Sequence, residues 1–331
     1  MHSTVLYISW RCLVKYLVLC ASSLLAANVA SAQGFPSRPV RIVLPFGPGG
    51  VADITARVLA QKITEGIGQQ VLVENRPSAG GIIAAEAVAK AEPDGHTLLL
   101  LSNGTAVSAS LFKQLPYDTV NSFASVSTVG FFSMVLLANP DAKIASVSDF
   151  LDFAKNNPGK ANIGTITIGS TQHLAGELFR SMSGADAQMI PFKDTPSVIA
   201  ALRSNQIHLA VEFIAPVMGQ IKAAAVKPIG VTAARRYAGL PAVPTVAEGG
   251  IAGYEVASWN AIAAPAKTPR PVIDRLNREV GTAVAANEVR DKLAALGVEA
   301  RASTPEELQK LLVSEIARWG AVIERAKIPK Q

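Results

Sequence analysis

The sequence predicts an α/β protein with two lobes, each a mostly parallel sheet flanked by helices. Apolar strand-like segments alternate with segments of helical periodicity near the amino terminus, and the same alternation returns in the middle of the chain. An apolar segment at 256–264 then follows the second series. Strand–helix alternation is typical of parallel sheets covered by helices, and 331 residues suffice for two such units. The late strand indicates that the chain crosses back to the first lobe.

Two successive strand–helix–strand units begin the first lobe. Gly66 and Gly68 end the first helix, and Pro93-Asp94-Gly95 ends the second. Strands joined by such helical crossovers run parallel. The strands are predicted at 40–46, 71–74 and 97–101, and the helices at 51–63 and 82–91.

The second lobe repeats this pattern with shorter segments. Ser146, with Asp149 three residues later, is typical of a capping box and predicts a helix through Lys155. Strands are predicted at 161–166, 188–191, 208–212 and 228–232. The chain then ends in helices that begin at Thr268-Pro269, at Asn287, and at Ser303 or Thr304 with Pro305.

The first 32 residues have the pattern of a secretory signal peptide. Arg11 and Lys15 precede an apolar stretch at 16–30, and Ala30-Ser31-Ala32 predicts cleavage before Gln33. A membrane anchor would need roughly 20 apolar residues, and this stretch is shorter. The protein is therefore expected in the periplasm. The predicted domains are a signal peptide at 1–32, lobe 1 at 33–135 and 256–331, and lobe 2 at 136–255.

Composition excludes several functional classes. The 31 basic and 25 acidic residues contain no Lys/Arg run of the kind that binds nucleic acid. Two cysteines and four histidines are too few and too scattered for a zinc site or a disulfide framework. Both cysteines, Cys12 and Cys20, lie in the predicted signal peptide. We therefore expect no metal, no cofactor and no nucleic-acid partner.

A glycine loop at 47–52 stands between the first strand and the first helix. It satisfies the pattern G-x-G-x-x-A, and Glu74 follows about 20 residues later, as in a dinucleotide site. Backbone N–H groups at a helix start also bind carboxylates and other anions. A tight turn, with Asp53 stabilising the helix start, is a third interpretation. We favour anion binding, because an exported protein does not meet an intracellular nicotinamide cofactor.

The chain carries seven distinctive motifs: Pro45-Phe46-x-Pro48-Gly49-Gly50-x-x-Asp53, Glu74-Asn75-Arg76-Pro77-x-Ala79-Gly80-Gly81, Pro93-Asp94-Gly95-x-Thr97-Leu98-Leu99, Leu115-Pro116-Tyr117-Asp118, Gln172-His173-Leu174-Ala175-Gly176-Glu177, Leu240-Pro241-x-Val243-Pro244-Thr245 and Glu315-Ile316-Ala317-Arg318-Trp319-Gly320. Together these motifs resemble those of the Bug (Bordetella uptake gene) family, the solute-binding receptors of tripartite tricarboxylate transporters. The similarity runs from about Phe35 to the carboxyl terminus.

The resemblance implies a two-lobed fold like that of type II periplasmic binding proteins, closing on a small organic acid or its amide. It also implies a monomer that serves integral-membrane permease subunits or a periplasmic sensor domain. The implied ligand-binding residues are Pro48, Gly49, Gly50, Asp53, Ser102, Asn103 and Thr105 in lobe 1, and Gly169, Ser170, Thr171, Gln172, Thr195 and Glu212 in lobe 2.

The sequence departs from the family where the ligand is selected. Thr167-Ile168 replaces a frequent Gly-Asn pair, Glu212-Phe213 an Asp-Asn pair, and Asp194-Thr195 a Gly-Ser or Gly-Thr pair. Ile168 removes the hydrogen-bonding groups of an asparagine, and Phe213 adds apolar bulk. The hypothesis is a smaller, partly apolar or aromatic carboxylate in place of a citrate-like polyanion.

Two other functions remain open at this level. One is an exported enzyme acting on a carboxylate, and the other is a cytoplasmic oxidoreductase that binds a dinucleotide with the loop at 47–52. Ser102 and Ser170 could be nucleophiles, but neither lies in a G-x-S-x-G motif. We expect a receptor and not an enzyme.

Overall fold

The strand–helix alternation is present from Val40 onward. The computed structural model describes residues 34–331, so the predicted signal peptide and its cleavage site lie outside the described residues. Within residues 34–331 the chain forms ten strands and ten helices. The strands are β1 (Val40–Leu44), β2 (Val71–Asn75), β3 (Thr97–Ser102), β4 (Phe123–Ala138), β5 (Ala161–Ile166), β6 (Ala187–Phe192), β7 (Leu209–Phe213), β8 (Lys227–Val231), β9 (Ala257–Pro265) and β10 (Val298–Ala300).

Helices follow most of these strands. Residues Ala79–Gly81 form a short 3-10 turn before the second helix. The helices are α1 (Val51–Ile67), α2 (Ile82–Ala89), α3 (Asn103–Leu111), α4 (Val147–Asn156), α5 (Thr171–Ser183), α6 (Thr195–Arg203), α7 (Ile214–Lys222), α8 (Arg270–Ala285), α9 (Asn287–Ala295) and α10 (Pro305–Arg325).

The strands form two half-sheets with parallel outer strands. The order is β2-β1-β3-β9-β4-β7-β5-β6, with β10 and β8 also paired to β4. β1 lies parallel to β2 and β3, and β5 lies parallel to β6 and β7. The pairs formed by β4 and β9 are antiparallel. Each half therefore has the parallel core that strand–helix alternation predicts.

Strand β4 passes through both half-sheets. As far as Ser133 it pairs with β9 and β10, and from Met134 it pairs with β7 and β8. The segment between β8 and β9 carries the chain from the second half-sheet back to the first. Strands β4 and β10 are not among the strands predicted from the sequence. The lobe boundaries at 135/136 and 255/256 stay a prediction.

Thr232 joins the two crossing segments. Its hydroxyl accepts from Met134 N at 3.2 Å and donates to Val256 O at 2.7 Å. Its backbone N–H donates to Met134 O at 3.0 Å, and Val256 N donates to its carbonyl at 2.7 Å. The side chain is fully buried. This threonine therefore holds the crossing strands together where β4 changes partners.

Apolar clusters cover the half-sheets on their helical faces. Ile42, Leu100 and Leu276 belong to a cluster under α1 and α8. Val135 and Leu202 belong to one under α6 and α7. A third cluster extends across both halves and contains the largest buried side chains. No helix in residues 34–331 combines the length and apolar character that crossing a membrane requires.

Replacing Thr232 by valine tests the crossing. Thr232→Val removes a buried hydroxyl with two partners, so the free energy of unfolding should fall by about 1–3 kcal/mol. The matched control is Thr55→Val in α1, since Thr55 is equally buried but its hydroxyl has no partner. The control should be neutral or slightly stabilising in urea unfolding. Equal losses in the two variants would contradict the role of Thr232.

Candidate functional site

The predicted ligand residues lie at the carboxyl ends of the parallel strands. One group follows β1 and β3 in the first half-sheet, and the other follows β5, β6 and β7 in the second. Ligands of open α/β sheets bind at this edge. The fold therefore positions both groups where a cleft between the halves can use them.

The loop after β1 presents Pro48, Gly49 and Gly50 at the surface. Gly49 has φ +83°, a backbone conformation that glycine adopts without strain. An added Cβ would meet no atom within 4 Å, so the space beside this loop is open. Gly50 is the N-cap residue of α1, and it has no side chain that could cap the helix. The loop therefore offers bare backbone at a helix start.

Asp53 holds this loop in place. Its carboxylate accepts from Gly49 N at 2.9 Å, from Arg57 Nε at 3.0 Å and from Asn75 Nδ2 at 2.8 Å. The bond to Arg57 is the largest cause that lowers the pKa of Asp53 to about 2. Both oxygens are engaged within the protein, which gives Asp53 a positioning role. Its predicted contact with ligand stays a prediction.

Ser102, Asn103 and Thr105 form the start of α3, and all three are buried. The side chains of Ser102 and Thr105 cap this helix in a capping box. The Asn103 amide is directed away from its own helix. Its Oδ1 accepts from Trp319 Nε1 at 2.8 Å, and its Nδ2 donates to Thr171 Oγ1 at 3.1 Å. Of this group, Asn103 is the residue that reaches the second half.

Gly169 and Ser170 lead into α5 in the second half. Gly169 has φ +82°, and a Cβ there would lie 2.7 Å from Leu111 Cδ2 of α3. Ser170 accepts from His173 N at 3.1 Å and so caps α5. The loop therefore lies directly against the first half, and only a glycine fits its closest point.

Glu212 lies at the end of β7 and is fully buried. Its Oε2 accepts from the Thr195 hydroxyl at 2.9 Å. Burial raises the pKa of Glu212 to about 7, and hydrogen bonds from Thr195 and Gln172 lower it only in part. Its Oε1 has no hydrogen-bond partner. Thr195, Gln172 and Glu212 therefore form one polar cluster, with one oxygen left unsatisfied.

The structure thus joins some predicted residues by direct contact and not others. Asn103 meets Thr171 across the halves, and Thr195 and Gln172 meet Glu212. Of the other predicted ligand residues in the described chain, the loop at 48–50 is hydrogen-bonded to Asp53. The roles of all thirteen residues in ligand binding stay predictions.

Sequence reasoning missed two residues that support the site. Asn75 at the end of β2 fixes Asp53 and also donates to Phe46 O at 3.0 Å. Trp319 in α10 appears in the sequence only as part of a family motif; it is fully buried, and its N–H donates to Asn103. The motif around Asn75 was visible in the sequence, but the partner of Trp319 lies 216 positions away.

Other features of the described residues concern the two alternative functions, an exported enzyme and a dinucleotide-binding oxidoreductase. Glu74, which a dinucleotide site would use, is paired with Arg41 at 3.2 Å and with Arg76. Residues 34–331 contain no group of three His, Cys, Asp or Glu side chains placed to hold a metal ion. A separate groove of about 1270 Å³ lies between the segment after β8 and the β10 side, and its lining includes Tyr237 and Arg301. None of the predicted ligand residues lines that groove.

Comparison with known proteins decides the family. The sequence model for the "tripartite tricarboxylate transporter family receptor" matches residues 55–328. The chain belongs to this receptor family. It is 34% identical over 308 residues to Protein BugT of Bordetella pertussis, covering 92% of this chain and 94% of that protein. The resemblance to the Bug receptors is therefore confirmed. Members of this family are periplasmic solute-binding receptors.

Solved structures confirm the fold class of this receptor. Rpa4515 from R. palustris with adipate has a TM-score of 0.75 and 32% identity, covering 89% of this chain and 99% of that one. MatC from Rhodopseudomonas palustris with bound malate has a TM-score of 0.71 and 31% identity, covering 87% and 100%. The two-lobed α/β fold is thus shared over nearly the whole described chain.

Two site carboxyls give opposite pH dependences of stability. The pKa of Glu212 rises from 4.5 to about 7, so the folded state keeps a proton that the unfolded state loses. Its contribution to the free energy of unfolding is full below pH 4.5 and declines as pH rises to about 7, by up to about 3 kcal/mol. Unfolding of wild type and Glu212→Gln should differ in this window.

Asp53 is the internal control for this experiment. Its pKa falls from 3.8 to about 2, so its stabilisation is present above pH 3.8 and is lost as pH falls through 2. The difference between wild type and Asp53→Asn should therefore shrink on acidification. A pH-independent difference between wild type and Glu212→Gln from pH 4.5 to 7 would show that Glu212 titrates normally.

Proposed function

We propose that this receptor works in the periplasm, captures one small organic acid between its lobes and does not alter it chemically. The observation that carries the proposal is the contact of Asn103 with Thr171, which joins the carboxyl edges of the two half-sheets. Relatives with the same fold hold adipate and malate. The receptor then delivers its acid to integral-membrane permease subunits or presents it to a periplasmic sensor domain.

The binding groups are backbone amides and neutral side chains from both lobes. Gly50 and the first residues of α1 offer N–H groups that lack an intrahelical acceptor, whereas Gly49 N is bound to Asp53. Thr171 and Gln172 offer such groups at the start of α5. Helix starts of this kind stabilise an anion through aligned N–H dipoles. The Asn103 amide and the Thr171 hydroxyl lie between them. Closure of the lobes about β4 brings the two groups onto opposite ends of the acid.

The ligand proposed is smaller or less charged than citrate. Ile168 is half exposed beside the loop that begins α5, and Phe213 is half-buried at the end of β7. These side chains add apolar surface next to the polar cluster. Asp194, the third departure from the family, caps α6 by accepting from Ser197 N at 2.9 Å. A C4–C6 dicarboxylate or an aromatic acid fits these surroundings better than a tricarboxylate.

Native mass spectrometry and calorimetry test the proposed function. Protein purified without added ligand should carry one acid of low mass. Titration with malate, adipate, benzoate and citrate should show one site for at least one of the first three and weaker binding of citrate. Tight citrate binding with no binding of the others would refute the ligand class, and no binding of any acid would refute the function.

Gly49→Val tests the loop. A β-branched residue at φ +83° is strained and blocks close approach to the backbone, so affinity for the bound acid should fall at least tenfold. Gly68→Val is the matched control, since Gly68 has φ +82°, equally open surroundings and a position at the far end of α1. The control should cost similar stability and bind normally. If Gly49→Val binds the acid normally, the loop at 48–50 is only a turn and has no role in ligand binding.

A further inference from the structure

Glu212 is the unusual group of the candidate cleft. It is fully buried, and its Oε2 is satisfied by the Thr195 hydroxyl at 2.9 Å. Its Oε1 is also buried but has no hydrogen-bond partner. A buried polar atom without a partner costs about 1–3 kcal/mol. A bound molecule can therefore supply the hydrogen bond that this oxygen lacks.

Glu212 also lies where a bound molecule would be. It ends β7, and its contacts Gln172 and Thr195 begin the helices that follow β5 and β6. The cluster thus stands at the shared carboxyl edge of three parallel strands. Thr171, next to Gln172, touches Asn103 of the first half. The cluster that contains Glu212 therefore lies at the same edge of the second half as the residue that contacts the first.

Among residues 34–331, no cation is paired with the Glu212 carboxyl. On α5, His173 pairs with Thr165 Oγ1 at 3.1 Å and Glu177 pairs with Arg180 at 2.7 Å. Before α6, Lys193 and Asp194 face each other at 3.9 Å and are largely exposed. None of these groups is among the influences on the pKa of Glu212, which are burial and hydrogen bonds from Thr195, Gln172 and Phe213. With a pKa of about 7, a large share of the Glu212 carboxyl is therefore neutral near neutral pH.

We propose that Glu212 binds the ligand directly as a neutral carboxyl group, donating a hydrogen bond from Oε1 to a carboxylate oxygen of the acid. Oε2 accepts the Thr195 hydroxyl, and Oε1 has no partner among the described residues, so the proposal places the carboxyl proton on Oε1. The ligand class is an organic acid whose carboxylate reaches the end of β7. This inference rests on the proposed function and specifies the group that recognises the acid in the second lobe.

Direct binding by a neutral carboxyl couples capture to proton uptake. The ligand carboxylate stabilises the protonated form of Glu212, so above pH 7 binding takes up a fraction of a proton per acid, and this fraction grows as pH rises. At pH 8 the uptake should exceed about half a proton per acid bound. Affinity should weaken roughly fivefold from pH 7 to pH 8. A ligand ammonium group paired with ionised Glu212 would reverse both signs.

Isothermal titration calorimetry in buffers of different ionisation enthalpy measures this coupling. The titrants are malate, adipate and benzoate, and the proteins are wild type, Glu212→Gln and Glu177→Gln. Glutamine keeps the shape and the donor but cannot take up a proton, so Glu212→Gln should bind with no uptake and a flat pH profile. Glu177→Gln is the matched control, because Glu177 is a buried carboxyl already paired with Arg180, and it should behave as wild type.

The outcomes separate the inference from the proposed function. Binding to wild type without uptake, with proton release, or with uptake that persists in Glu212→Gln overturns the role of Glu212 and leaves acid capture intact. A folded Glu212→Gln variant that binds no acid also overturns it, since its amide presents the same donor. If no acid binds to wild type, the proposed function fails, and this inference fails with it.

Discussion

The hydrogen bonds of Thr232 are the constraint on which the geometry of the receptor depends. Strand β4 is continuous through both half-sheets, and its partners change between Ser133 and Met134. At that point Thr232 forms hydrogen bonds with both Met134 and Val256. These bonds fix the position of one crossing segment relative to the other. Because strand β4 belongs to both half-sheets, the carboxyl ends of β3 and of β5 to β7 face each other. Residues far apart in sequence, such as Asn103 and Thr171, can then meet.

Helix capping occupies several of the polar side chains near the candidate site, so fewer of them are free to bind a ligand. Ser102, Ser170 and Asp194 each satisfy an N–H group at the start of their own helix, and Asp53 satisfies Gly49. These residues shape the loops, and the groups that they leave free are backbone amides. Asn103 and Thr171 join the halves by a side-chain hydrogen bond. In the proposed binding mode, backbone amides therefore supply most of the recognition, which accounts for the glycines at these loops.

Local signals in the sequence predicted most of the fold. The Ser146 cap, the strand at Ala161–Ile166 and the helix start after Thr304 all appear as predicted, because each depends on neighbouring residues. Strand β4 was missed because serines, Thr128 and Gly130 interrupt its apolar pattern and no turn marks its ends. The bond between Trp319 and Asn103 spans 216 positions. Loop motifs placed the candidate site, but the isolation of Oε1 of Glu212 is a property of its three-dimensional surroundings.

Asp53 and Glu212 show how the same chemical group serves two purposes in one cleft. Arg57 makes Asp53 a permanent anion that is bound to its own loop, whereas Glu212 has no such partner. The thirteen predicted ligand residues include no lysine or arginine, and Arg57 and Arg180 are committed to Asp53 and Glu177. In the proposed binding mode, an anion is held by hydrogen bonds and helix-start dipoles without a fixed ion pair. Removing a paired buried charge costs several kcal/mol, whereas hydrogen bonds exchange with water at lower cost. A receptor that must release its ligand on opening benefits from such a mode, in which a neutral Glu212 would supply one more hydrogen bond without adding a repelling charge.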